Sequence, residues 1–111
     1  MFRSGGLAPS AVMQAAPQAV PTSGGTVQST NTAMMGLTVV NPAGTLAALT
    51  VNVPPDATST IGQVERFAFL KAITLLTVSG ATTILGAPSA AVIGDNIGFQ
   101  KVAANTWVRM I

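Results

Sequence analysis

Leu49-Thr50-Val51-Asn52-Val53-Pro54-Pro55-Asp56 sets the reading of the chain. Its large apolar residues alternate with Thr50 and Asn52, the period of a half-buried strand, and the run stops at two prolines, which lack the amide a β-ladder needs. The same grammar recurs downstream. Residues 64–70, 74–79, 82–85, 97–102 and 107–111 are short runs of β-branched and large apolar residues, broken at Gly80, Gly86-Ala87-Pro88, Gly94-Asp95-Asn96 and Ala104-Asn105. Six short strands spaced roughly 8 to 12 residues apart predict an all-β fold, a small antiparallel β-sandwich or barrel. No internal repeat stands out that would make the chain a solenoid.

Upstream of residue 37 the pattern lapses. Residues 1–36 are rich in Ala, Gly, Pro, Ser, Thr and Gln, and no charged residue lies between Ser4 and Pro55. Ordering a residue costs roughly 1 to 2 kcal/mol of backbone entropy, and this stretch has few large side chains to offset it. It is expected to be an extended N-terminal arm preceding a β domain of residues 37–111. Within the arm, a short helix over residues 11–16 fits between Pro9 and Pro17, and Gly5-Gly6 and Gly24-Gly25 read as flexible joints. Met34-Met35 is its candidate anchoring contact, because unbranched thioether chains adapt to irregular apolar grooves.

The chain has 111 residues, 49% of them hydrophobic but only 7% charged, and no Cys, His or Tyr. One domain is the prior for this length. Thiol, imidazole and phenol chemistry, disulfides and zinc sites built on Cys or His are excluded. A chain so poor in charge must hide its surface or wet it with Ser, Thr, Asn and Gln. The net charge of +2 comes from five scattered cations, Arg3, Arg66, Lys71, Lys101 and Arg109, against three carboxylates. That is no phosphate-binding patch, and nucleic acid is not an expected partner. The longest apolar stretches are interrupted by Pro, Gly and Asn before reaching the roughly 20 residues of a membrane span. The first residues likewise lack the apolar core of a signal peptide.

Among candidate chemical groups, Glu65 with Asp56 or Asp95 could form a carboxylate pair for glycoside hydrolysis. Against this, Asp56 and Asp95 sit at turn positions where Asp bonds local backbone, and Glu65 beside Arg66 reads as solvated. Lys71 has no partner pattern that makes it a nucleophile. No catalysis, cofactor or metal is expected. Phe67 and Phe69 share one strand face, as do Ile97 and Phe99; such residues serve as core or as a subunit interface, and Trp107 is read the same way. A β domain of about 70 residues supplies only a few kcal/mol from its own core, and with disulfides excluded the remaining staple is oligomerisation or docking onto a larger surface.

The succession Leu49-Thr50-Val51-Asn52-Val53-Pro54-Pro55, Gly62, Phe67-Ala68-Phe69, Leu75-Leu76-Thr77-Val78-Ser79-Gly80, Ile84, Gly86, Ile97-Gly98-Phe99 and Asn105-Thr106-Trp107-Val108-Arg109 resembles β modules of tailed-bacteriophage virion proteins. These are capsid decoration or cement proteins, head fibres and tail-fibre domains. The resemblance covers residues 43–111. It implies a structural protein of the capsid surface, made in the host cytoplasm, whose partners are the major capsid protein and its own copies in a homotrimer. A head-fibre, tail-fibre or spike module for host attachment is the alternative. Met34, Met35, Phe67, Phe69 and Trp107 are the expected partner-interface residues.

Overall fold

The computed structural model describes residues 18–111 as two packed β-sheets. Nine strands follow in chain order: β1 (Gln18–Ala19), β2 (Thr26–Gln28), β3 (Met35–Val40), β4 (Leu46–Asn52), β5 (Val64–Phe69), β6 (Ile73–Ser79), β7 (Thr83–Leu85), β8 (Asn96–Ala103) and β9 (Thr106–Arg109). A 3₁₀ turn, Asp56–Thr58, follows Pro54-Pro55. The six-stranded sheet has the order β1-β3-β5-β8-β9-β7, and the three-stranded sheet the order β2-β4-β6.

The first six strands alternate between the sheets, odd strands in one and even strands in the other, and every neighbour pair among them is parallel. Parallel neighbours need a crossover of a dozen or more residues. Here each crossover is itself a strand of the facing sheet, so the chain winds as a flattened coil of three turns. The turns differ in length. Gln18 pairs with Val39 and Val39 with Ala68, offsets of 21 and 29 residues, while Thr26, Thr50 and Thr77 are offset by 24 and 27. Beyond β5 the coil stops: β8 pairs antiparallel with β5 and with β9, and β7 joins β9 in parallel. Ala91 bridges Ile73 along the free side of β6.

The chain is all-β, as its pattern predicts, and β4 to β9 match the predicted runs within a few residues. Gly80, Gly86, Gly94 and Asn105, at the predicted breaks, all adopt positive φ. The pairing is mixed, in place of the expected antiparallel sandwich. Five ladders are parallel and two antiparallel. The coil also answers the missing repeat: a solenoid-like winding is present with turns of unequal length.

The expected boundary at residue 37 is not one. Residues 18–36 carry β1 and β2, and Val27 lies in the core. Short strands laid in register on a formed sheet gain backbone hydrogen bonds without large side chains, so a shortage of such side chains does not keep residues 18–36 from ordering. Gly24-Gly25 is a turn rather than a joint: the Gly25 amide bonds Thr22 O at 3.0 Å and the Gly24 amide bonds Ala48 O at 2.8 Å. The first 17 residues of the expected arm, with its helix over residues 11–16 and the Gly5-Gly6 joint, lie outside the described residues.

One apolar core fills the space between the sheets. It joins Val27, Leu49, Val51 and Leu76 of the small sheet to Val40, Phe67, Phe69, Ile97, Phe99 and Trp107 of the large one. Among the described residues no helix is long and apolar enough to cross a membrane.

Candidate interaction faces and a buried polar cluster

Strand alternation sends every second residue of the large sheet away from the core. In register, Met35, Val64, Gln100, Val108 and Leu85 form one continuous row across β3, β5, β8, β9 and β7. Leu37, Arg66 and Gly98 form a second, and Gln18, Val39, Ala68 and Asn96 a third. Ile111 closes the second row by lying over Gly98, where an added side chain would meet it at 2.8 Å. Among these residues Arg66 is the only charge. Parallel sheets are normally covered on both faces, and an apolar outer face is what such cover requires.

The outer face of the small sheet is its chemical opposite. Thr26, Thr50 and Thr77 are in register across its three strands, and so are Gln28, Asn52 and Ser79. Asn52 Nδ2 donates to Gln28 Oε1 at 3.1 Å, while Asn52 Oδ1 is buried without a partner. A shallow groove of about 170 Å³ runs beside the threonines, lined by Gly24, Ala48, Leu49, Thr50, Leu75 and Thr77. The face carries no charge, yet its hydroxyls and amides wet it.

The expected interface residues separate into two groups. Met34 and Met35 are exposed, at 48% and 47%, on the edge where β3 begins. Phe67, Phe69 and Trp107 are wholly inside the core, so as interface residues they are corrected to core residues. Their parity along β5 and β9 points them inward, and the outward positions Val64, Ala68 and Val108 take their place at the surface.

The three carboxylates do not meet. Asp95 Oδ2 accepts from the Val92 amide at 2.8 Å, the local turn bond its position predicts. Asp56 Oδ1 takes the Asn105 amide at 2.8 Å and the Lys101 ammonium at 2.7 Å. The Lys101 hydrogen bond and then the Asn105 amide hold the Asp56 carboxyl below the usual range. Lys101 is itself buried, and its Nζ also donates to Asp56 O, Ser59 O and Ser59 Oγ at 3.2, 3.1 and 2.9 Å. It is a clamp for the turn after Pro55. Lys71 Nζ reaches Asn41 Oδ1 at 3.5 Å.

Glu65, expected in solvent, is fully buried. Asn31 Nδ2 donates to its Oε1 at 2.8 Å and Thr38 Oγ1 to its Oε2 at 2.9 Å. Gln63, also fully buried, donates from Nε2 to Asn31 O at 3.1 Å and accepts the Thr60 amide at 3.1 Å. Gly36 makes the cluster possible, since a Cβ there would stand 2.7 Å from both Asn31 Nδ2 and Glu65 Oε1. Burial pushes the Glu65 carboxyl up, against the opposing bonds from Asn31, Thr38 and Ser29. Among the described residues no group of three or more metal-ligating side chains occurs.

Comparison with protein-family models, curated proteins and solved structures gives no match.

Proposed function

We propose that this chain is a structural virion protein, a capsid decoration or cement module that self-associates, as a homotrimer, and seats on the major capsid protein. The resemblance over residues 43–111 supplies the class. The single observation that carries the mechanism is the apolar outer face of the six-stranded sheet, whose register rows hold one charge among their described residues, Arg66. Burying apolar surface is worth about 25 cal/mol per Å², and a small module without disulfides gains most of its stability by covering such a face with its own copies. The uncharged Thr and Asn rows of the small sheet then remain toward water. A fibre or spike role in host attachment is the second reading, favoured by the coil, whose turns stack in one direction as those of a shaft would.

The test pairs assembly with attachment. Sedimentation of the full chain is expected to give a trimer, and the outer-face substitution Val64→Lys a folded monomer, because an ammonium in the Met35–Val64–Gln100 row is intolerable only when that row is covered. Val64→Lys sedimenting as the wild-type trimer would remove the large sheet from the interface. Co-sedimentation with emptied capsids supports decoration; binding to host cells without binding to capsids replaces that reading with the fibre one.

A further inference from the structure

From the Glu65 cluster we infer that the fold contains a pH-sensitive latch. With its proton, Glu65 ties the β2–β3 connection, and through it the first turn of the coil, to the large sheet; without it, that turn loosens. The latch needs no virion role and stands apart from the function proposed above.

Its parts come from three places in the chain. Asn31 belongs to the connection leaving β2, Thr38 and Gly36 to β3, and Glu65 to β5. The carboxyl bonds the connection and β3 at once, through the 2.8 and 2.9 Å contacts to Asn31 and Thr38, and Gln63 Nε2 adds a bond to Asn31 O at 3.1 Å. A hydroxyl turns from donor to acceptor by rotation, so Thr38 serves a neutral acid as well as a carboxylate. What the cluster lacks, among the described residues, is a cation. The connection over residues 29–34, β3, β4 and β6 carry no charged residue. On β5 itself Arg66 points to the opposite face, and on β8 Lys101 is committed to Asp56 and Ser59. An ionised carboxylate sealed among these groups keeps its desolvation penalty without a compensating charge.

The first turn is where that penalty is relieved. β1 has two residues and β2 three, and among the described strands each is paired on one side only. Lifting residues 29–34 admits water to Glu65 while the Phe67, Phe69 and Trp107 core stays closed. The proton linkage follows in sign. The folded carboxyl titrates above its unfolded value of 4.5, so the native state holds the proton longer. Its stabilising contribution is complete below that value and is lost as pH rises through the folded value. Between the two, the equilibrium for opening grows about tenfold per pH unit.

Glu65 is the only glutamate in the chain, so glutamate labelled with ¹³C at the δ carbon gives a single reporter. The expected result is a Glu65 carboxyl signal that stays in its neutral position above the ordinary glutamate range. Over the pH interval in which it moves, the Val27 and Ser29 amides are expected to lose hydrogen-exchange protection, corrected for intrinsic rates, ahead of β5 and β8. Glu65→Gln, which keeps the shape and the Asn31 bond, is expected to hold those amides protected at every pH. Titration of Glu65 in the ordinary range or below overturns the latch. So does a high titration that leaves the first-turn amides unchanged, or a loss of protection spread evenly over all strands. If Glu65→Gln does not fold, the wild-type signal and amides decide alone.

Discussion

Lys101 and Glu65 are both buried ionisable groups, and the fold treats them oppositely. Lys101 has every donor engaged, on Asp56, Ser59 and the carbonyl at the start of the 3₁₀ turn. Lys101→Met keeps the stem and removes the head, leaving those acceptors without their donor. Since hydrogen bonds to charged groups are worth about 1.5 to 3 kcal/mol, a loss of about 2 to 3 kcal/mol in urea unfolding is expected. The acid limb of the stability curve should flatten with it. The folded Asp56 carboxyl lies below its unfolded value of 3.8; the stability it contributes is present above that value and lost as pH falls through the folded one. Glu65 slopes the other way. Its burial was legible in principle: it shares parity with Phe67 and Phe69, the two residues the sequence marks as inward, whereas the Glu65-Arg66 adjacency that suggested solvent pairs side chains on opposite faces of a strand.

At the scale of the strand, the coil hides a repeat. Thr26-Val27-Gln28, Thr50-Val51-Asn52 and Thr77-Val78-Ser79 stack in register, valines toward the core and threonines outward. A search for a fixed period misses it because the turns differ in length, set by loops such as Pro54-Pro55 that have no counterpart in the first turn. β4 to β9 were readable because each carries several large apolar residues between clear breakers. β1 and β2 were not, since two and three residues hold too little pattern, and their pairing is a backbone property of the neighbouring strand. The repeat also sorts substitutions. Val51→Ala at the middle of the stack, fully buried, is expected to cost about 2 kcal/mol by thermal or urea unfolding, and Leu75→Ser on the outer face less than about 0.5 kcal/mol. Equal costs at the two sites would mean that the outer face is covered in the isolated protein.

For the molecule as a whole, the scarcity of charge is resolved in two ways at once. One outer face is apolar and is proposed to be covered by copies of the chain; the other is wetted by hydroxyls and amides. That division needed the register, because Leu37, Val39 and Val64 are scattered in sequence and become one surface only when β3, β5 and β8 lie side by side. The same view changes what truncation should do. Deleting residues 1–36 removes β1, β2, Val27 and Asn31, and is expected to unfold the chain or lower its melting temperature by several degrees, about 4 to 8 °C per kcal/mol lost for a domain of this size. A melting curve matching that of the full chain would mean that the first turn contributes nothing.

The antiparallel return of β8 against β5 gives the coil a finished end, while at its other end β1 and β2 are the outermost strands among the described residues. Size in such a body is quantised. A further turn of the Thr-Val-polar kind, spliced in ahead of β5, lengthens the protein by one strand spacing of about 4.8 Å without altering either terminus. Relatives that differ in reach would then differ by whole turns, with the terminating hairpin unchanged.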